Sequence, residues 1–226
     1  MNVAENYKKI RKEIPEQVSI VVAAKTRTAT ELSEIIDAGA TDIGENYVQE
    51  AKSAYEQLGE KANRVRWHLI GSLQKNKINK ALPIFDIIQT IGDYEIAENI
   101  DKKVERAGKK IVPVCIEINI GSEFTKYGVK PEFKSIEELI RKISDNLKYL
   151  KIVGLMTMGP RVGDPEDSRE YFRKTKEIFE RIKTLSLPRV EMKILSMGMS
   201  NSYEVAIQEG SNLVRIGTSI FGERKY

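Results

Sequence analysis

Cysteine and histidine are nearly absent from this chain of 226 residues, which contains one of each, Cys115 and His68. A single cysteine excludes a framework of intrachain disulfides and is typical of a protein from a reducing cytoplasm. A single histidine excludes a metal site built from several imidazoles. Both residues lie in apolar, strand-like stretches, so packing inside the protein is the first interpretation for each of them.

Long apolar runs and a large charge of one sign are also missing. No stretch approaches the roughly 20 apolar residues of a membrane helix, and residues 1–13 lack the apolar core of a secretory signal. We therefore expect a cytoplasmic protein that has no membrane partner. The net charge is +4, from 37 basic and 33 acidic residues, and this excess is too small to indicate a nucleic-acid partner.

Short apolar runs of strand type alternate with amphipathic stretches of helix type along the whole chain. Strands are predicted to begin near Val18, Asp42, Val65, Asp86, Ile111, Ile152, Val190 and Asn212. Helices are predicted over Val3–Glu13, Ala29–Ala38, Val48–Leu58, Leu73–Ala81, Glu95–Ala107, Ile136–Asn146, Ser168–Leu185 and Ser202–Gln208. This alternation favours a parallel α/β protein, either a closed (βα)8 barrel or an open doubly wound sheet. No G-x-G-x-x-G turn follows the first strand, so a dinucleotide site is disfavoured.

Lys25 follows directly after the first predicted strand. A lysine at the end of a buried strand is costly unless it has a partner or a role. Burial favours the neutral amine, and a neutral amine is the nucleophile that forms a Schiff base with a carbonyl. The alternative is a lysine whose stem packs on the barrel while its amine reaches solvent.

Two segments near the end of the chain have the composition of a phosphate site. Residues 196–202 read Ser-Met-Gly-Met-Ser-Asn-Ser and lead from a predicted strand into a helix, where free N–H groups attract an anion. The alternative is that Ser200 or Asn201 only caps that helix. Gly217 and Thr218 follow the last predicted strand. A Schiff-base lysine together with a phosphate site indicates either pyridoxal phosphate or a sugar phosphate as ligand.

Arg215 lies within the last predicted strand, where both faces are expected to be buried. A buried guanidinium needs acceptors, which a structural glutamate or a ligand could supply. Arginine only donates hydrogen bonds, so beside a pyridine nitrogen it would keep that nitrogen unprotonated. The cofactor would then be a weak electron sink. Lys75 and Lys77 begin the third connecting helix, where cations are unfavourable, which hints at an acidic ligand or partner nearby; the alternative is a solvated helix face.

Six ordered segments resemble the pyridoxal phosphate homeostasis protein family, single-domain relatives of the alanine racemase barrel. They are Val-Ala-Ala-Lys-Thr (22–26), Gly-Glu-Asn-Tyr-Val-Gln-Glu (44–50), Trp-His-Leu-Ile-Gly-Ser-Leu-Gln-Lys-Asn-Lys (67–77), Gly-Leu-Met-Thr-Met (154–158), Ser-Met-Gly-Met-Ser-Asn-Ser-Tyr-Glu-Val-Ala-Ile (196–207) and Val-Arg-Ile-Gly-Thr-Ser-Ile-Phe-Gly (214–222). The resemblance covers nearly the whole chain. It implies a single (βα)8 barrel domain over residues 1–226, with an extra helix at the N-terminus.

The resemblance also implies the residues of a cofactor site. Lys25 would hold pyridoxal 5'-phosphate as a Schiff base, and Arg215 would face the ring nitrogen. The remaining implied residues surround the phosphate (Ser200, Gly217 and Thr218), line the ring (Asn46 and Met156) or form the adjacent wall (His68 and Ile70). Lys75 and Lys77 would hold incoming cofactor loosely. Relatives commonly have serine where this chain has Ala24, so one hydroxyl beside the lysine is missing.

Three functions remain open from the sequence. The first is a protein that binds the cofactor reversibly, contributes to its homeostasis and passes it to apo-enzymes. The second is a weak amino-acid racemase, which needs an acid or base opposite Lys25; Tyr47 and Tyr203 are the possible residues. The third is a Schiff-base aldolase that acts on a sugar phosphate. We expect no robust catalysis, and a monomer rather than a dimer.

Overall fold

Eight parallel strands close into a barrel in chain order, so that the last strand pairs with the first. The computed structural model describes residues 2–108, 111–121, 127–159 and 163–222. Within them the strands are β1 (Ser19–Ala23), β2 (Asp42–Glu45), β3 (Arg66–Leu69), β4 (Ile87–Ile91), β5 (Val112–Ile118), β6 (Leu150–Thr157), β7 (Val190–Met199) and β8 (Leu213–Ile216). Of the two architectures that the sequence favoured, the closed barrel is confirmed.

Helices lie between successive strands and at both ends of the described chain. They are α1 (Val3–Glu13), α2 (Ala29–Asp37), α3 (Val48–Leu58), α4 (Ile78–Ala81), α5 (Tyr94–Arg106), α6 (Phe133–Asn146), α7 (Arg169–Lys183), α8 (Tyr203–Gln208) and α9 (Thr218–Phe221). Each strand starts within two residues of its predicted position. The predicted third connecting helix is a 3-10 turn over Lys75–Lys77 followed by α4, and α9 was not predicted.

Helix ends follow the local chemistry of the sequence. Thr28 and Glu31 form a capping box at the start of α2: the Thr28 hydroxyl accepts from the Glu31 N–H at 3.2 Å, and the Glu31 carboxylate accepts from the Thr28 N–H at 2.8 Å. Two N–H groups that the helix itself leaves without acceptors are thereby satisfied. Gly39 follows α2 with φ +103°, a conformation that glycine adopts without steric cost.

Helix α1 joins the beginning of the described chain to its end. The Asn6 side chain donates to the Ile220 carbonyl in α9 at 2.8 Å. Arg11 donates to the carbonyls of Ile14 and Val18 at 2.7 and 2.9 Å, and so fixes the link from α1 into β1. The extra N-terminal helix is therefore part of the barrel's outer ring.

The largest apolar layer lies between the strands and the surrounding helices. It includes fully buried side chains from both sides, such as Trp67 of β3, Ile100 of α5 and Phe172 of α7. The barrel interior is different, because it holds two small apolar clusters and several buried polar groups. In the described part of the chain, no helix is both long and apolar enough to cross a membrane.

Candidate functional site

A cavity of about 470 Å³ opens at the carboxyl ends of the barrel strands, the end at which barrel enzymes bind their ligands. Its volume lies in the range of small-molecule sites. Seven of the nine residues predicted for a cofactor site line it: Lys25, Asn46, Ile70, Ser200, Arg215, Gly217 and Thr218. The other two, His68 and Met156, do not line it. The topology therefore brings most of the predicted residues to one place.

Lys25 lies two residues beyond β1, in a tight turn. The turn is closed by the Arg27 N–H, which donates to the Ala24 carbonyl at 2.9 Å. Thr26 has φ +65°, a strained conformation for a β-branched residue. Its N–H donates to the Glu50 carboxylate of α3 at 3.0 Å, which holds the strained turn in place. Lys25 is half-buried as a result and belongs to the pocket wall.

Ser200 connects the ends of β7 and β8. Its hydroxyl oxygen accepts from the backbone N–H groups of Gly217 and Ser219, at 3.2 and 3.3 Å. The alternative role of Ser200 or Asn201 as helix cap is wrong, because the N-cap of α8 is Ser202. Ser200 thus stands beside two backbone donors at the pocket wall, and Thr218 adds a hydroxyl next to them.

Gly217 leaves room on the pocket side of β8. A Cβ atom at this position would lie 3.3 Å from the Ala23 carbonyl oxygen and 3.4 Å from the Ala23 Cβ. A side chain here would crowd β1 and narrow the pocket beside Lys25. The glycine therefore keeps the space beside Lys25 open, while its backbone N–H donates to the Ser200 hydroxyl.

Arg215 forms part of the pocket floor and is 4% exposed. Its Nη2 donates to the Thr157 carbonyl at 2.7 Å, and its Nη1 donates to the Ser196 hydroxyl at 2.5 Å. Burial lowers the pKa of Arg215 to about 10, although the nearby Glu117 carboxyl opposes the shift. Burial also raises the pKa of Glu117 to about 7, against the attraction of Arg215. Glu117 is therefore a neighbouring charge of Arg215, but the printed hydrogen bonds of the guanidinium go to Thr157 and Ser196 and not to a glutamate.

Met156 and His68 lie below the pocket. Met156 is fully buried and packs with Ile87 and Cys115 inside the barrel. Met158 follows two residues later and lines the pocket instead, because residues two apart on a strand share a face. His68 is buried within hydrogen-bond distance of the Asp42 and Gln89 side chains. Both residues were expected to line the cofactor site. The structure places both of them deeper in the barrel, outside the pocket lining.

The pocket carries positive charge. Lys25, Arg27 and Arg215 line it, and its described lining residues include no aspartate or glutamate. Arg27 was not predicted as a site residue, although its position two residues after Lys25 at a strand end would have allowed it. Its guanidinium also donates to the Gly222 carbonyl at 3.2 Å and stacks 4.8 Å from the centre of the Phe221 ring. An anionic ligand is favoured in such a site.

Glu45, at the end of β2, is a second residue that sequence reasoning missed. It is 1% exposed, and its Oε2 atom has no hydrogen-bond partner in the described part of the structure. Burial raises the pKa of Glu45 to about 8, and the neighbouring Glu50 adds to the shift, while Lys25 opposes it. A protonated carboxyl therefore lies just outside the pocket at neutral pH.

The structure places an acidic side chain of the same chain, and not a ligand or partner, beside Lys75. Lys75 forms an ion pair with Glu95 at the start of α5. The pair is exposed on both sides, so it contributes little to stability. Neither Lys75 nor Lys77 lines the pocket.

Comparison with known proteins gives three concordant findings. The family described as the alanine racemase N-terminal domain matches residues 1–225. A pyridoxal phosphate homeostasis protein from Aquifex aeolicus (strain VF5) is 40% identical over 207 residues, which cover 90% of this chain and 86% of that protein. The structure of PipY from Synechococcus elongatus PCC7942 with PLP bound has a TM-score of 0.86 at 28% identity, covering 97% of this chain and all of PipY.

A more distant likeness concerns the fold alone. Alanine racemase from Clostridium difficile 630 superposes with a TM-score of 0.82 at 16% identity. The match covers all of this chain but only 57% of the racemase. The racemase therefore has a large additional part that the present chain does not match.

Proposed function

We propose, from the premise that this chain belongs to the pyridoxal phosphate homeostasis protein family, that it binds pyridoxal 5'-phosphate reversibly at the barrel mouth, with Lys25 as the covalent attachment point. The single observation that carries this proposal is the composition of the pocket. It combines one lysine at a strand end, two arginines and a group of hydroxyl and backbone N–H donors, without a carboxylate among its described lining residues.

The fit to the phosphate rests on β7 and β8. Ser200, Thr218 and the N–H groups of Gly217 and Ser219 lie together on one wall. Such donors bind a phosphate dianion through charge-assisted hydrogen bonds. Gly217 leaves space for the phosphate because it has no side chain, and a Cβ at this position would crowd Ala23.

The fit to the ring and the aldehyde rests on the rest of the pocket. The bound cofactor supplies an aldehyde that condenses with a neutral amine and releases water. Lys25 supplies that amine, and the strained turn at Thr26 holds it at the pocket wall. Arg215 supplies donors toward the ring nitrogen and disfavours its protonation, while Asn46 and Ile70 pack at the side.

The described pocket supports a carrier in preference to a racemase. A racemase needs a proton donor on each face of the substrate carbon. Tyr203 is engaged elsewhere: its hydroxyl donates to Glu13 at 3.1 Å, and burial raises its pKa to about 12. Tyr47 precedes α3, is 59% exposed and does not line the pocket. Lys25 therefore has no opposing acid or base among the described lining residues.

A carrier also needs a partner that accepts its cargo, and apo-enzymes that use the same cofactor are the partners we propose. The pocket wall is built from strand ends and short turns. Among the described helices, only the short α9 contributes residues to the pocket lining. The described walls of the pocket are therefore compatible with exchange of the cofactor. Faster activation of an apo-enzyme by the loaded protein than by an equal concentration of free cofactor would support this step.

The proposal is tested by the visible spectrum of the purified protein with added pyridoxal phosphate, before and after borohydride, followed by peptide mapping. We expect a yellow protein whose colour is discharged, with the reduced adduct on Lys25. Lys25→Ala should lose the adduct and keep weaker, noncovalent binding through the phosphate donors. Lys174→Ala, which changes an exposed lysine of α7, is the matched control.

Two outcomes would contradict the proposal. A full-occupancy adduct in Lys25→Ala would remove Lys25 from its role. A wild-type protein that stays colourless with added cofactor would remove the cofactor, and an aldolase acting on a sugar phosphate would become the leading function. Conversion of L-alanine to D-alanine by the yellow protein would instead favour the racemase.

A further inference from the structure

Five buried side chains form a continuous series of hydrogen bonds through the barrel interior. Starting from the pocket floor, Arg215 Nη1 lies 2.5 Å from Ser196 Oγ, and Ser196 Oγ lies 2.7 Å from Gln89 Oε1. Gln89 Nε2 lies 2.8 Å from His68 Nδ1, and His68 Nε2 lies 2.7 Å from Asp42 Oδ1. Every member is at most 4% exposed. We call this series the interior relay.

The direction of each bond follows from Arg215. A guanidinium only donates, so Ser196 must accept from it. The single proton of the Ser196 hydroxyl then goes to the Gln89 carbonyl oxygen. The Gln89 amide consequently presents its N–H to His68 Nδ1, which must carry a lone pair. The proton of His68 is therefore on Nε2 and is donated to the Asp42 carboxylate.

Asp42 ends the relay at the opposite face of the barrel. Burial alone would raise the pKa of Asp42, but hydrogen bonds from His68, Arg66 and Thr41 outweigh it and lower the pKa to about 2. The Arg66 Nε lies 2.8 Å from Asp42 Oδ1, and the Arg66 side chain is 56% exposed. The relay thus runs from a surface ion pair to the pocket floor.

Stability alone does not explain this arrangement. Buried polar groups lose hydration, and apolar residues of similar volume often stabilise a protein as well or better. The interior of a (βα)8 barrel is typically filled by Val, Ile and Leu. Here the polar series replaces such residues, and within the described interior it leads to the arginine that faces the pocket.

We propose that Asp42, His68, Gln89 and Ser196 are positioning residues, whose one-way hydrogen bonds hold Arg215 in the pocket floor with its remaining N–H groups turned toward the ligand. The part of this inference that concerns the ligand rests on the proposed function. The direction of the relay does not, since it is a property of the ligand-free chain. The roles of Lys25 and of the phosphate donors are independent of it.

The first test reads the relay without any ligand. Because His68 is the only histidine, long-range ¹H–¹⁵N NMR of the imidazole gives a single, assigned pattern. We expect protonated Nε2 and unprotonated Nδ1 at pH 7. A proton on Nδ1, alone or together with Nε2, would overturn the direction of the relay.

The second test removes one hydrogen bond of the relay in each of two variants. The affinity for pyridoxal phosphate and the absorption maximum of the bound cofactor are then measured. Ser196→Ala removes the hydroxyl that accepts from Arg215 Nη1. Gln89→Leu removes the side-chain carbonyl that accepts from the Ser196 hydroxyl. We expect each variant to bind the cofactor about tenfold more weakly and to shift the absorption maximum, with the borohydride-reducible adduct still on Lys25. If the Gln89→Leu variant does not fold, the smaller Ser196→Ala change still decides.

Gln89→Glu separates the two hydrogen bonds of Gln89. The carboxylate still accepts from Ser196, so Arg215 keeps its partner, but it can no longer donate to His68 Nδ1. We expect an imidazole protonated on both nitrogens and an affinity closer to wild type than that of Gln89→Leu. Because glutamate also keeps the volume of glutamine, equal losses in the two variants would show that the acceptor for Ser196 does not hold Arg215, and would contradict the positioning role.

The control is Thr175→Val, which removes a buried hydroxyl that donates to the Tyr171 carbonyl inside α7 at 2.8 Å. It should change neither the imidazole pattern nor cofactor affinity. Unchanged affinity and spectrum in both Ser196→Ala and Gln89→Leu would overturn the positioning role. Absent cofactor binding in the wild type would defeat the proposed function, while the imidazole pattern would still report on the relay.

Discussion

The layer outside the barrel strands and the space inside them are both buried, but they are built on different principles. Outside, β-branched and aromatic side chains from strands and helices form one large apolar layer. Inside, two small apolar clusters, around Val21 and around Met156, both pack against the partly buried Ile194, and the buried polar groups of the interior relay share this space with them. Apolar contacts are non-directional, so the outer layer tolerates exchange between residues of similar size. Each polar group inside depends on one particular partner.

The outer apolar layer contributes mainly to the stability of the fold, whereas the residues inside the barrel mainly set the geometry of the ligand site. Phe172 packs between α7 and the strands and is fully buried, whereas Arg215 is fixed by two hydrogen bonds at the pocket. A change in the outer layer should therefore lower the free energy of unfolding and leave the site intact. A change at the site should do the reverse.

The largest effect is expected for Phe172→Ala in the outer layer. The lost contacts and the cavity should lower the free energy of unfolding by about 3–5 kcal/mol. Urea unfolding measures the loss, with Phe172→Leu as a milder control. The cofactor bound to the folded fraction should keep the wild-type absorption maximum, and a shifted maximum would break the comparison.

Glu45 is an exception to this comparison, because it is a polar residue in the apolar outer layer. Its neighbours Gly44 and Asn46 face the barrel interior, so Glu45 between them faces outward. The Glu45→Gln variant tests this exception. The pKa of Glu45 is raised from 4.5 to about 8. The folded state therefore binds a proton that the unfolded state releases between these values, and stability falls as the pH rises through about 8. The glutamine variant lacks this loss and should be more stable than wild type at pH 9.

Thermal unfolding of wild type and Glu45→Gln between pH 5 and pH 9 checks this prediction. Glu177→Gln is the matched control, because it neutralises an exposed carboxylate on α7. Parallel pH profiles for wild type and Glu45→Gln would contradict the protonated, buried state of Glu45. Convergence of the two proteins at pH 5 and separation at pH 9 is the expected pattern.

The smallest effect on stability is expected for Thr218→Val at the pocket wall. The free energy of unfolding should change by less than about 0.5 kcal/mol, as for most substitutions outside the core. The rate of cofactor dissociation should rise several-fold, because a phosphate donor is lost, while the absorption maximum stays the same. Stopped-flow dissociation into an excess of an aldehyde trap measures it, and an unchanged rate would remove Thr218 from the phosphate site.

The short apolar strands, separated by helices with clear end signals such as Thr28 and Gly39, predicted a parallel α/β fold, and the family resemblance implied the closed barrel. The sequence also placed Lys25, Ser200 and Gly217 at one end, since all of them follow strands that run in the same direction. The short helix α9 escaped prediction because four residues carry no periodic pattern.

The depth at which a side chain lies inside the barrel was not predictable from the alternation of apolar and polar residues along the strands. Alternation tells which face of a strand a residue occupies, but the stagger between strands sets its height. The register shifts between β6 and β7, where Gly154 lies so close that a Cβ would fall 1.8 Å from the Ile194 carbonyl oxygen. It shifts again between β7 and β8, between Ser196 and Met199. Strand periodicity alone therefore did not tell which of Met156 and Met158 lines the pocket.

The relay was invisible for a related reason. Gln89 and Ser196 are distant in the sequence, and neither belongs to a motif that suggests a ligand. They become neighbours only because β4 and β7 face each other across a closed barrel. The partner of His68 could be recognised only after the strands had been placed.

The pairing of β1 with β8 has a consequence for the synthesis of the protein. A ribosome releases Lys25 early, whereas Arg215, Gly217 and Thr218 emerge only with the last strand. Until then the ring is open, β1 has an unpaired edge, and one wall of the pocket does not exist. A nascent or truncated chain that stops before β8 therefore exposes the lysine without the donors that would retain an aldehyde phosphate, and the completed ring is the first state in which all of them meet.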